Sequence, residues 1–230
     1  MTAAQGNAYH APMAARPKHL VRDTDPTIDP MIDSVRSHAQ DLLGDTIAMR
    51  RALHEWPELG NELPLTRDRV LESLEGLPLS ITTHESTSGI VAMLEGSTPG
   101  PTMLLRGDMD ALPMPEDTGL DFASHVEGCM HACGHDTHTA MLSSAAHLLS
   151  ERRDDIAGRV LFMFQPGEEG HHGARYMLDE GLLDVPAMSD GSESPVDAAF
   201  ALHITSCLLY TSPSPRDRHL DLVCRLLLEK

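Results

Sequence analysis

The 230-residue chain contains few aromatic residues, few basic residues and no long apolar run. Phe, Trp and Tyr make up 3% of the residues, too few for the stacking platforms of proteins that bind single-stranded nucleic acid. Lys and Arg number 17 against 35 Asp and Glu, and the net charge of −18 argues against nucleic acid or an anionic membrane surface as a partner. No apolar run approaches the roughly 18 residues that indicate a transmembrane helix, so none is predicted.

Cysteine is also scarce. There are four cysteines, Cys129, Cys133, Cys207 and Cys224. This is too few for a disulfide scaffold in a chain of this length. The first twenty residues contain no continuous apolar stretch of signal-peptide length. We therefore expect a cytoplasmic protein with reduced thiols.

Composition divides the chain into three parts. Residues 1–30 are rich in Ala, Pro, Asp and Thr without periodicity and are predicted to be a flexible arm. Residues 31–206 carry helix and strand patterns and are predicted to form the folded domain. From Cys207 onward, CLLYTSPSPRD matches a translated transposase sequencing adapter, so residues 207–230 are interpreted as non-native. The alternative is a genuine Ser/Pro linker that leads into a short helix.

Apolar periodicity predicts an α/β fold. Helices are predicted at 31–56, 65–74 and 137–151, with another beginning at 172. Strands are predicted at 79–83, 89–94, 102–106, 159–164 and 196–203, with 99–101 as the turn between the second and third. Because strands alternate with helices after residue 100, the sheet is expected to be largely parallel, with crossover connections.

Polar clusters follow three of the predicted strands. RGDMD follows TMLL, QPGEEG follows VLFMF, and His203 ends VDAAFAL. In open α/β sheets, ligands bind at the carboxyl ends of the strands. The sequence therefore predicts that these three clusters converge on one site.

The densest cluster of candidate metal ligands is CMHACGHDTH, residues 129–138. A thiolate and an imidazole two residues apart, as at Cys133 and His135, can bind one metal ion, and they favour softer ions. The alternative is a structural zinc knot that also uses Cys129 and His138. A disulfide between the two cysteines is disfavoured in a reducing compartment.

Two adjacent carboxylates, Glu168 and Glu169, come directly after a buried strand. One can ligate a metal ion while the other shuttles protons. The alternative is a solvated charge pair on a loop.

Asp108 and Asp110 follow another strand and lie on one side of the extended chain. Such an aspartate can bind metal or orient a ligating imidazole, and an ion pair with Arg106 is the simpler alternative. For His203 a ligand role is favoured over a structural one. No role is assigned to three further histidines, His54, His171 and His172.

Together these segments resemble the amidohydrolase branch of the zinc aminopeptidase-like metallopeptidases. That branch includes hippurate hydrolases, N-acyl-amino-acid amidohydrolases and auxin-conjugate hydrolases. The resemblance covers about residues 35–205, in family order, and rests on RRALHEWPELGNE, LLRGDMDALP, MHACGHDTHTAML, FMFQPGEEGHHGARYMLDEGLLD and AAFALH. The family's usual PAEE is QPGEE here, and we expect Gly167 in place of Ala to be harmless.

The resemblance implies a site and a fold. It implies that Glu168 is the general base and that Asp110 orients a ligand. It implies two divalent ions, Mn or Zn with Co or Ni also compatible, held by Cys133, His135, Glu169 and His203. The implied fold is a three-layer zinc-peptidase-like domain with a central, largely parallel mixed sheet, of which residues 31–206 are the N-terminal part.

The implied reaction is metal-dependent cleavage of the amide bond of N-acyl amino acids such as hippurate. The alternatives are a non-catalytic metal-binding module with the same fold and a peptide carboxypeptidase. The family's lid and dimerisation domain and its C-terminal metal-binding histidine have no counterpart in these 230 residues. We therefore expect the chain as written to be inactive, and a homodimer only for the full-length protein.

Overall fold

The computed structural model describes residues 28–204. Its helices are α1 (Ile28–Asp41), α2 (Leu43–Glu55), α3 (Pro64–Ser73), α4 (His135–Glu151) and α5 (Gly173–Asp179). Its strands are β1 (Ser80–Thr83), β2 (Ile90–Glu95), β3 (Thr98–Asp108), β4 (Ala157–Gln165) and β5 (Val196–Ala201). None of the helices along residues 28–204 has the length and apolar character needed to cross a bilayer.

Two of the three predicted parts lie largely outside the described residues. The adapter-like segment 207–230 lies wholly outside them, and so does the N-terminal arm except for its last three residues, which open α1. The chain divides into two compact units between Ser37 and His38. The described part of the first unit is helical and carries an exposed ion pair between Arg36 and Asp33, 3.1 Å apart.

Two local predictions were wrong. The single helix predicted over 31–56 is two helices, α1 and α2, which are separated at Leu42. The Thr46 hydroxyl donates to the Leu42 carbonyl at 2.9 Å, and Gly44 has low helix propensity. The turn predicted at 99–101 lies within β3, where a shift in register accommodates the two prolines. The chain instead turns at Gly96 and Ser97, whose backbone N–H groups donate to the segment that opens β4.

The five strands form one mixed sheet in the order β1-β2-β4-β3-β5. β3 pairs in parallel with both β4 and β5, whereas β2 pairs antiparallel with β1 and with β4. The predicted α/β class and mixed sheet are confirmed, and parallel pairing is confined to the β4-β3-β5 half. This half is the one whose strands are joined through helices, as crossover connections require.

Helices cover both faces of this sheet. Phe162 and Phe164 of β4 are fully buried on the face covered by α3 and α4. Leu161 and Met163 alternate with them and pack on the opposite face against Met177 of α5. Because both faces are covered, β4 is a continuous apolar run. The arrangement has three layers, as expected.

Parallel pairing brings three strand ends to one edge of the sheet. Asp108 at the end of β3 stands in register with Gln165 at the end of β4. β5 runs alongside β3 and ends at Ala201, two residues before His203. The polar segments that follow these strands therefore lie together, and α4 begins beside them.

Candidate active site

His135 lies at the centre of the polar cluster, and its imidazole is completely buried. Nδ1 lies 2.8 Å from the carbonyl oxygen of Asp110 and 3.2 Å from its Oδ1. Both of these oxygens only accept, so Nδ1 carries a proton, and Nε2 is the ring nitrogen left to bind a ligand. Nε2 has no hydrogen-bond partner among the described residues. It lies 3.9 Å from a carboxylate oxygen of Glu168 and 3.9 Å from one of Glu169.

The electrostatics around His135 favour a cation. Burial lowers the pKa of the imidazole, but the hydrogen bond to Asp110 and the nearby carboxylates of Asp108 and Glu168 raise it more, and the net shift is upward. An unpartnered buried nitrogen facing several carboxylates is costly unless positive charge or a ligand satisfies it. This donor set therefore fits a divalent metal ion.

Cys133 and His203 complete the cluster from two other segments. Cys133 Sγ lies 3.3 Å from His203 Nε2, although the two residues are 70 positions apart. Burial and the neighbouring Glu169 carboxylate raise the pKa of the Cys133 thiol to about 12. A bound divalent cation would reverse this effect, because a coordinating thiol is deprotonated.

The candidate ligands form three overlapping groups. Within each group the ligand atoms lie within 4.8 Å of one another. The groups are Cys133, His135 and His203; Asp108, His135 and His138; and His135, Glu168 and Glu169. His135 belongs to all three, so every residue proposed from the sequence to bind metal lies in a group that contains His135.

Asp110 connects two of these residues. Its Oδ1 lies 3.2 Å from His135 Nδ1, and its Oδ2 accepts the backbone N–H of Glu169 at 2.9 Å. The carboxylate is 1% exposed. These are the contacts expected of an orienting carboxylate, which holds one candidate ligand by its ring and another by its backbone.

Asp108 has different partners. Its Oδ1 lies 2.6 Å from His138 Nδ1, and its Oδ2 lies 2.5 Å from an Arg106 guanidinium nitrogen. The ion pair considered from the sequence is therefore present. Burial raises the pKa of Asp108, but the His138 hydrogen bond and the Arg106 charge outweigh it and lower the pKa overall.

The four residues of the zinc knot do not form one ligand group. His138 Nε2 accepts the backbone N–H of Ile204 at 2.9 Å, so both of its ring nitrogens are hydrogen-bonded. Cys129 is buried, and its Sγ lies 3.5 Å from the carbonyl oxygen of Pro57. His138 instead joins α4 to β3 and to the segment after β5.

Two glycines allow the segments of the site to approach each other. Gly134 precedes α4 with a φ of +85°, and a Cβ there would lie 2.4 Å from a methyl group of Ile204. Gly167 has a φ of +61°, and a Cβ there would lie 1.9 Å from Asn61 Oδ1. Both positions favour glycine for conformation and for space.

Gly167→Ala is expected to destabilise the protein by more than Gly170→Ala. Both residues have positive φ, which costs roughly 1–2 kcal/mol for a residue with a Cβ. A Cβ at Gly170 meets nothing within 4 Å, whereas one at Gly167 meets Asn61, and such overpacking adds about 1–3 kcal/mol. Urea unfolding of the two variants measures the difference. Equal losses would contradict this account of Gly167.

Sequence reasoning missed one buried cluster, formed by Arg50, His54, Glu116 and Asp136. The only local signal was the four-residue spacing of Arg50 and His54 along α2.

His171 and His172 lie exposed on the loop before α5. The carbonyl of His171 accepts a hydrogen bond from Asn61 at 3.0 Å, a contact that fixes this loop.

The chain resembles proteins of known class. Residues 104–212 match the family model described as Peptidase family M20/M25/M40. Thermostable carboxypeptidase 1 of Saccharolobus solfataricus is 38% identical over 179 residues, which are 76% of this chain and 43% of that protein. N-acetylcysteine deacetylase of Bacillus subtilis is 45% identical over 139 residues, which are 60% of this chain and 37% of that protein.

A solved structure shows the same likeness. A Bacillus subtilis protein described as a dinuclear metal binding peptidase from the M20 family superposes with a TM-score of 0.64 and 40% identity. The match covers 72% of this chain and 44% of that one. The chain thus spans about two fifths of the length of these relatives.

Proposed function

The chain carries a domain of peptidase family M20/M25/M40, and from this premise we propose that the protein is a metal-dependent amidohydrolase of N-acyl amino acids. The observation that carries the proposal is the buried Nε2 of His135. It has no hydrogen-bond partner among the described residues, and it faces carboxylate oxygens of Asp108 at 3.5 Å and of Glu168 and Glu169 at 3.9 Å. A deacetylase of N-acetylcysteine is among the relatives, which supports this substrate class.

Four residues would hold two divalent ions: Cys133, His135, Glu169 and His203. Thiolate and imidazole favour zinc, and carboxylates also suit manganese, with cobalt and nickel compatible with the same donors. When bound, such ions lower the pKa of a water molecule and polarise the amide carbonyl. Asp110 holds a proton on Nδ1 of His135, so that Nε2 would be the nitrogen available to a metal ion.

Glu168 is the residue we assign to proton transfer. Its side chain is 39% exposed, against 26% for Glu169, so it has more freedom to reach water and substrate. As general base it takes a proton from the attacking water. It then donates this proton to the leaving amine. The products are a carboxylic acid and an amino acid.

Peptide carboxypeptidase activity is the second candidate, and the Saccharolobus relative favours it. The cysteine in the ligand turn favours the acyl-amino-acid branch. The third candidate is a non-catalytic metal-binding module. Such a module would not require the carboxylate of Glu168 beside the proposed ligand Glu169. The three candidates predict different substrate profiles.

The test uses the polypeptide encoded by the gene re-sequenced across codon 206, loaded with manganese or zinc. It is assayed on hippurate, on N-acetyl amino acids and on unblocked peptides. We expect the acylated amino acids to be hydrolysed fastest. Faster cleavage of unblocked peptides would establish the carboxypeptidase. Metal binding without hydrolysis of any of these substrates would establish the non-catalytic module.

We also propose a cytoplasmic location, and a homodimer for the full-length protein. The location rests on the low cysteine content of the sequence. The homodimer rests on the family resemblance. Cell fractionation tests the first proposal, and sedimentation of the re-sequenced protein tests the second.

A further inference from the structure

His54 lies buried between two carboxylates. The residue is 2% exposed, with Nδ1 2.7 Å from Asp136 Oδ2 and Nε2 3.2 Å from Glu116 Oε1. The hydrogen bond to Asp136 raises the pKa of the imidazole more than burial lowers it, and Glu116 adds to the rise. Because ionised carboxylates only accept hydrogen bonds, both ring nitrogens donate. His54 therefore joins two acidic residues, one through each ring nitrogen.

Through Nδ1, His54 contacts Asp136 in the first turn of α4. Asp136 is completely buried, and it follows His135 directly in the chain. Its Oδ1 accepts the backbone N–H of Thr137 at 2.8 Å, and Arg50 Nε donates to its Oδ2 at 2.7 Å. Gly134, which precedes the helix, has no side chain to cap it. Asp136 therefore anchors the turn that carries His135.

Through Nε2, His54 contacts Glu116 in the connection between β3 and α4. Glu116 Oε2 accepts the backbone N–H of Ser124 at 2.7 Å and closes the loop 116–124. The ring of Phe122 in this loop packs edge-on against the His54 ring, with centroids 5.5 Å apart. These contacts fix the loop, and along residues 28–204 no hydrogen bond, ion pair or ring contact joins Glu116 or Phe122 to His135.

We propose that His54 is a positioning residue that acts through Asp136 to hold His135 in the orientation required for metal binding. This inference rests on the proposed function, in which His135 is a ligand. It assigns the two ring nitrogens different tasks. The hydrogen bond from Nδ1 to Asp136 supports the metal centre. The hydrogen bond from Nε2 to Glu116 supports the loop 116–124.

Two amide substitutions separate these tasks. In His54→Asn the amide nitrogen takes the place of Nδ1 and preserves the bond to Asp136. In His54→Gln it takes the place of Nε2 and preserves the bond to Glu116. The protein is titrated with Co²⁺, whose absorption reports both ligand geometry and the thiolate bond of Cys133.

We expect His54→Asn to keep the wild-type cobalt spectrum and affinity within about threefold, because the bond to Asp136 survives. We expect His54→Gln to weaken Co²⁺ binding by roughly 10- to 100-fold, the loss typical of residues that orient metal ligands, and to change the ligand-field bands. Thermal unfolding of the metal-free variants measures stability separately. Equal cobalt affinity and spectra for the two variants would overturn the proposal, whatever their stabilities.

A third variant, Glu116→Gln, covers the case in which either His54 variant fails to fold. It alters the contact between His54 Nε2 and the loop 116–124 but leaves His54 itself unchanged. It should leave Co²⁺ affinity within about twofold of wild type, and a larger loss would overturn the division of tasks. If the wild-type protein itself shows no thiolate–cobalt absorption, the metal centre is wrong and the inference fails with it. A normal cobalt centre in a protein that hydrolyses no amide would overturn only the proposed function.

Discussion

Glu168→Gln is expected to abolish hydrolysis while metal content stays near wild type. The substitution removes the group that accepts a proton from water but leaves Cys133, His135 and Glu169 in place. Loss of a general base costs about 10²- to 10⁴-fold in rate. The measurement is kcat on N-acetyl amino acids for the re-sequenced, metal-loaded protein, with metal content determined on the same samples.

Glu169→Gln is the matched control, because it removes the neighbouring carboxylate from the same loop. The oxygens nearest to His135 Nε2 lie at the same distance for the two residues, 3.9 Å, so distance alone does not separate their roles. We expect Glu169→Gln to lose metal as well as activity. If Glu168→Gln retained more than about a tenth of the wild-type rate, Glu168 would not be the base.

Cys133→Ser should weaken metal binding far more than Cys129→Ser. Cys133 Sγ lies 3.3 Å from His203 Nε2 within a group of candidate ligands, whereas Cys129 Sγ contacts the carbonyl of Pro57. Loss of a direct ligand should cost at least the roughly 10- to 100-fold typical of residues that only support ligands. Metal analysis after dialysis against a graded series of chelator concentrations measures both variants.

Cys129→Ser also serves as the control for folding. Cys129 is buried, so this substitution perturbs packing without touching a candidate ligand. Equal metal loss in the two variants would restore the zinc knot of Cys129, Cys133, His135 and His138. Retention of metal by Cys133→Ser would remove the thiolate from the proposed centre.

Periodicity predicted most of the secondary structure because burial repeats regularly along the chain. The VLFMF run of β4 has the pattern of a strand covered on both faces, and its side chains do alternate between two cores. The break at Leu42 and the turn at Gly96 were missed. Both are local features that do not alter the periodicity of apolar residues. The turn at Gly96, for example, is held by backbone hydrogen bonds from Gly96 and Ser97 to the segment that opens β4.

The sequence also indicated which residues carry the chemistry. Polar clusters after parallel strands must converge, because parallel strands end at the same edge of a sheet. Strand ends therefore predicted that Glu169 and His203 lie together, and the Cys/His motif marked Cys133 and His135 as candidate ligands. Their roles as ligands, and that of Glu168 as base, stay predictions that the experiments above address.

From the sequence alone, periodicity determined the α/β class and motifs marked the candidate site residues, because both are properties of neighbouring positions. The three layers were implied by the family resemblance. Only the tertiary structure decided which contacts form between distant positions. It joined His54 to Asp136, 82 residues away, and placed Asn61 against Gly167. It also directed Cys129 away from the other candidate ligands. Hydrogen bonds require distances near 3 Å and suitable angles, and packing of the whole domain sets both.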